Sequence, residues 1–139
     1  MIMKLKKFKL ELGERSQIGV LGILTDVSDL KLSWLVNTAL QINLSRDDDL
    51  NWLSRELPNP LAFPVYSDIT SKFGPVRLLK NRSLEGLWIK GYKQVDYLFI
   101  IMEGNSLEIT AKLVDIFQEI EGIRGVYLLN SEALGPIVD

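Results

Sequence analysis

The sequence predicts an α+β fold, with one domain over residues 1–139 and a mostly antiparallel sheet of about five or six strands. Two principal helices, near 29–41 and 106–121, are expected to pack on it. Three observations carry this prediction. Two stretches show apolar residues at helical spacing behind helix-start residues. Between them, prolines at 58, 60, 64 and 75 keep the elements of Ile42–Met102 short, as strands. Finally, Val95–Met102 is apolar on both faces apart from Asp96, which marks a central strand covered on both sides.

The elements follow in order. Lys4–Leu12 alternates as a strand would, with Phe8, Leu10 and Leu12 inward and Lys4, Lys6, Lys7 and Lys9 along an edge; Gly13-Glu14 closes it. Ser16–Leu24 is a short apolar run with two glycines, a strand or a buried helical turn. Thr25, Asp26, Ser28 and Asp29 then open a helix running to about Gln41, with Leu32, Leu35, Val36 and Ala39 on its buried stripe. Leu30 and Trp34 project from nearly the opposite side. Either Ser16–Leu24 or a chain terminus folds over Trp34, the preferred reading because half-covered helices are common, or Leu30 and Trp34 form an interaction surface.

Leu50–Leu53 reads as a strand or a short helix, and Phe63–Ile69 and Val76–Leu79 read as strands. "NRSLEG" at 81–86 is turn chemistry leading into Leu87-Trp88-Ile89, and Gly91 breaks that run. In the strand 95–102, Val95, Tyr97, Phe99 and Ile101 are expected on one face and Asp96, Leu98, Ile100 and Met102 on the other. Asn105 is expected to cap the second helix, with Glu108 completing a capping box. Its buried stripe is Ile109, Leu113, Ile116, Phe117 and Ile120, and Gly122 ends it. Val126–Leu129 is a last strand. The passage 95–102, 106–121, 126–129 is compatible with a parallel crossover, among other arrangements.

What is missing narrows the chemistry. The chain has no cysteine, which removes disulfides, thiolate metal sites and thiol nucleophiles, and no histidine, which removes the usual general base and the commonest transition-metal ligand. A net charge of −2 gives no overall pull toward nucleic acid or acidic membranes. No apolar run is long enough to span a bilayer and no signal-peptide pattern appears, so the cytosol is the expected compartment.

Few residues remain as candidates for chemistry. Asp47-Asp48-Asp49 lacks the glycine and distal glutamate of a calcium loop and reads as a solvated turn. Arg15, Lys80 and Arg82 are scattered cations. Asp96 either acts as an acid or base with a raised pKa, or accepts backbone N–H bonds from the preceding "GYKQ" turn and fixes where its strand begins. The second role is expected. No catalytic set, metal site or cofactor is assigned.

Ile89, followed six residues on by Val95-Asp96-Tyr97, resembles the signature of the bacterial IPExxxVDY family. Asp29–Leu40 ("DLKLSWLVNTAL") resembles that family's aspartate–aromatic–x–leucine–x–tryptophan helix, and Asn81-Arg82-Ser83 precedes the signature as it does there. The similarity covers most of the chain. It departs at Lys90 and Gly91, where the family carries proline and glutamate, so a role of that glutamate is not carried over. The family has no established activity, and the resemblance therefore implies a fold and no mechanism.

The functional expectation is a non-enzymatic protein-interaction or adaptor module, self-associating or binding another protein through Trp34 or an edge strand. The alternative is a nucleic-acid or ribosome-associated accessory protein, which needs Lys4, Lys6, Lys7, Lys9 and Arg82 to converge and salt to weaken binding steeply. A third reading, an enzyme centred on Asp96 with a metal or Lys90, needs a concave pocket at Asp96. No membrane partner is expected.

Overall fold

The computed structural model describes residues 18–52, 61–82, 87 and 94–130. Among the described residues, eight strands and two helices follow in the order β1 (Gly19–Thr25), α1 (Asp29–Leu40), β2 (Ser45–Arg46), β3 (Leu50–Trp52), β4 (Leu61–Phe63), β5 (Val65–Asp68), β6 (Val76–Lys80), β7 (Tyr97–Ile101), α2 (Leu107–Gln118) and β8 (Ile123–Leu129). Six strands form one sheet in the order β2-β5-β6-β7-β1-β8, every pair antiparallel; β3 and β4 form a separate two-stranded sheet. The α+β prediction with a six-stranded antiparallel sheet and two helices therefore holds. The predicted strand Lys4–Leu12 and the run through Trp88 and Ile89 lie outside the described residues.

β7 is central, as its sequence requires: all five of its residues are buried, between β6 and β1. Because β7 and β8 both run antiparallel to β1, they are parallel to each other with β1 inserted between them. The β7–α2–β8 passage is thus a split crossover. Both helices contribute to the core cluster on one sheet face, where Leu32, Val36 and Leu40 of α1 and Leu113 and Phe117 of α2 meet Ile23, Leu78 and Phe99. The Phe99 and Phe117 rings stand 5.1 Å apart at 59°, a tilted pair of the favourable kind. On the opposite face Val20, Leu79, Leu98, Ile100 and Leu129 pack with Phe63 of β4.

Several local expectations need correction. Ser106, not Asn105, caps α2, accepting from the Ile109 N–H at 3.2 Å, so the Asn105–Glu108 capping box does not form. Asn105 Oδ1 instead accepts from the Thr110 hydroxyl at 2.7 Å. The helix stops at Gln118 rather than 121, its last turn tightening as Ile120 and Ile123 donate three residues back. α1 buries Leu32, Ser33, Val36 and Leu40, while Ala39 is exposed. The predicted strand 63–69 is divided at Pro64, which has no N–H to donate but accepts from Lys80 N–H through its carbonyl, and Ile69 lies in a turn at 76% exposure.

The face of Val95 is also corrected. Ile23 is paired with Tyr97, yet its carbonyl accepts the Asp96 N–H at 2.9 Å, so two residues of one strand face one of the other. Such a bulge shifts the alternation by one. Val95 consequently packs with Leu98 and Ile100, on the face opposite Tyr97 and Phe99.

Candidate functional site

Two places collect the residues singled out by the sequence. The first is the start of β7. Asp96 Oδ2 accepts from the Thr25 N–H at 2.9 Å and Oδ1 from the Arg82 Nε at 3.3 Å, with the Asp96 side chain 22% exposed. Its backbone carbonyl accepts from the Asn81 N–H at 2.9 Å. Asn81, fully buried, donates its side-chain amide to the Val95 carbonyl at 2.9 Å. Tyr97, 4% exposed, donates its hydroxyl to the Val27 carbonyl at 2.8 Å. Burial, with the negative charges of Asp29 and Asp96 behind it, pushes that hydroxyl up to about 12.

These bonds converge on one segment, the β1–α1 loop. Thr25 is held by Asp96, Val27 by Tyr97, and the Thr25 hydroxyl donates to the Gly122 carbonyl at 2.6 Å while accepting from the Val27 N–H at 3.1 Å. Gly122 has φ +99°, and a Cβ there would stand 2.9 Å from Val27 Cγ2. Asp96 thus accepts a backbone N–H from Thr25 of the neighbouring strand; residues 91–93 of the "GYKQ" turn lie outside the described residues. Ile89, Lys90 and Gly91 lie outside the described residues, as do Arg15 and the four N-terminal lysines. Arg82 is engaged by Asp96.

The second place is the outer face of α1. Ser28 caps the helix, accepting from the Lys31 N–H at 3.3 Å, and Gln41 in the left-handed region ends it, donating to the Asn37 carbonyl. Leu30 is 69% exposed and Trp34 65%. Of the two covers expected for Trp34, Ser16–Leu24 is not one, since its described part lies in β1, an interior strand of the sheet; the chain termini lie outside the described residues. The neighbouring hydroxyls are turned onto the helix itself, Ser33 donating to the Leu30 carbonyl at 2.7 Å and Thr38 to the Trp34 carbonyl at 3.0 Å. What the helix presents here is an apolar pair with the exposed Lys31 beside it.

Trp34 stands between two grooves. One, of about 560 Å³, runs along α1 past Leu30, Asn37, Leu44, Arg46 and Tyr66. The other, of about 460 Å³, lies between α1 and α2, with Leu35, Ile116 and Ile120 inside and Glu119 and Glu121 among its lining residues. The wall of the first groove is tied down. Asn37 exchanges two bonds with the Leu44 backbone, at 2.6 and 3.0 Å, and the Tyr66 hydroxyl donates to Asp29 Oδ2 at 3.1 Å. Arg46 lies 5.6 Å over the Tyr66 ring and pairs with Asp49. Burial first, then the bond to Asp29, raises the Tyr66 hydroxyl above its ordinary pKa, and Asp49 raises that of Arg46.

Sequence reasoning missed Asp68. It is 7% exposed and accepts from the Asn43 N–H at 2.8 Å and from the N–H and hydroxyl of Thr70 at 2.9 and 3.0 Å. Those backbone donors, Asn43 foremost, hold its carboxyl below the usual range against burial. The Asp-x-Thr spacing was the available signal, since a carboxylate two residues before a threonine favours this local bond. Among the described residues no group of three or more carboxylates gathers as a metal site, and no helix is long and apolar enough to cross a membrane. No family model, curated protein or solved structure matches the chain.

Proposed function

We propose that this protein is a protein-interaction module, working in the cytosol, that presents Leu30 and Trp34 to a partner protein. One observation carries the reading: an exposed tryptophan on a capped helix, with the Ser33 and Thr38 hydroxyls bonded to the helix backbone and a groove on each side. A monomer gains nothing by holding a tryptophan 65% in water, whereas a partner that covers it gains a hot spot of the type interfaces favour. Asp96, bonded to a backbone amide and an arginine, supports the non-enzymatic side of the reading.

The family resemblance belongs to the same proposal. Asp96 and Tyr97 hold the segment that leads into α1, and Val95 packs on the far face of the sheet with Leu98 and Ile100. A signature made of these residues is a requirement of architecture, which fits a family with no established activity.

The test is affinity purification of the tagged protein from its own cells, with and without nuclease, beside Trp34→Ala. The variant is expected to fold with stability changed by less than about 0.5 kcal/mol, as for other exposed positions. Loss of the tryptophan is expected to weaken a nuclease-resistant partner about 30-fold. Recovery that collapses with nuclease and ignores the Trp34 substitution would overturn the proposal in favour of the lysine-rich arm.

A further inference from the structure

We infer that β8 pairs antiparallel with β8 of a second copy, joining the two six-stranded sheets edge to edge. The inference adds a second surface to the interaction-module reading and depends on none of the α1 residues.

The two edges of the sheet differ. β2 is two residues long and exposed, and its Arg46 is followed by three aspartates; shortness and charge are the usual protection of an edge. β8 is seven residues long, carries Arg124 as its one charge, contains no proline, and leaves Tyr127 at 42% and Leu128 at 63% exposure. Among the described residues it pairs with β1 alone.

The register decides which backbone groups face outward. Lys80 bonds to Pro64 on the β5 side and Asn81 to Asp96 on the β7 side, which fixes the alternation across the sheet. Carried through the strand register, it turns Gly125, Tyr127 and Leu129 toward β1 and leaves the N–H and C=O of Arg124, Val126 and Leu128 facing out. A twofold axis at Val126 sets Val126 against its own copy and Arg124 against Leu128, for roughly six inter-chain hydrogen bonds. The neighbouring position places Tyr127 over Gly125, where the absent side chain leaves room for the ring. The two Arg124 charges fall roughly 13 Å apart along the strands, beyond the screening length. The Arg124 head stays on Asp26 of its own chain, 3.2 Å away, while its stem covers the exposed Leu128 of the other copy.

α2 extends the surface. Glu108, Lys112 and Ile116 line a groove against α1, so the flank turned toward β8 carries Leu107, Ala111, Val114 and the polar but uncharged Gln118. Strand and helix layers together offer a face roughly 23 Å long and 20 Å tall, burying ~1,000 Å² over both copies. That lies at the lower limit of a specific interface, so the dimer is expected to dissociate on dilution.

Sedimentation velocity over a wide concentration range tests this on the full chain. With Asp26→Asn to release Arg124 from its 3.2 Å pair with Asp26, Leu128→Glu sets a carboxylate opposite Arg124 of the other copy and is expected to tighten the dimer about fivefold; Leu128→Lys in the same background sets like charges opposite and is expected to weaken it by a similar factor. Leu128→Pro removes an outward N–H at a position 63% exposed, so it is expected to give a monomer with unchanged circular dichroism. A protein that is monomeric at every concentration overturns the proposal, as do Glu and Lys variants that shift the same way, which a plain apolar patch would produce. Trp34→Ala is expected to leave the dimer intact. If it alone abolishes the dimer, the edge assignment falls while the α1 reading stands.

Discussion

Asp96 illustrates how one side chain can organise two strands and a loop. Its carboxylate accepts the Thr25 N–H that the bulged start of β7 leaves without a strand partner, and it holds Arg82 beside it. Asp96→Ala is expected to cost about 1–3 kcal/mol in urea denaturation, the penalty of an unsatisfied, partly buried N–H. Asp96→Asn keeps an acceptor and should cost less. Tyr97 makes a prediction on the alkaline side. Its pKa rises from 10.0 unfolded to about 12 folded, so its contribution is complete below pH 10 and is lost as pH climbs toward 12. Between those values the unfolded chain releases a proton that the native state retains, and stability falls by about 1.4 kcal/mol per pH unit. Tyr97→Phe should flatten that slope at a cost of about 1 kcal/mol near pH 7; the remaining slope belongs to Tyr66, shifted in the same direction.

Among the elements, the helices were the most legible in the sequence. Ser28 and Asp29 announce α1, and Leu113, Phe117 and Ile120 face the sheet as their spacing requires. Strand boundaries were less so. Neither the two-residue β2 nor the bulge at Asp96–Tyr97 has a local signal, because both depend on a neighbouring strand. The turn between α2 and β8 offers a test at this scale. Gly122→Ala combines a left-handed backbone with a methyl 2.9 Å from Val27 Cγ2, and is expected to cost about 1–3 kcal/mol. Val27→Ala should relieve part of this, giving a coupling of about 1 kcal/mol in a double-mutant cycle.

For the whole molecule, the absence of histidine has a thermodynamic consequence. The shifted carboxyl and the shifted tyrosines titrate well outside the neutral range, so stability is expected to vary by less than about 0.5 kcal/mol from pH 6 to 8, measured by thermal melts. On the acid side, the folded pKa of Asp68 lies below its unfolded one. Its contribution is therefore present above the unfolded value and lost as pH falls through the folded one. Asp68→Asn should lose most of that acid dependence and free the Asn43 end of the α1–β2 loop.

The sequence by itself determined the class of fold, the two helices, the centrality of β7 and the kind of chemistry this chain lacks, because periodicity, capping and composition are local properties. Tertiary structure alone decided that β1 is inserted between β7 and β8, that Val95 turns to the far face, and that Trp34 stands in water. Each depends on which segments lie side by side, and residues distant along the chain, such as Thr25 and Asp96, set that arrangement.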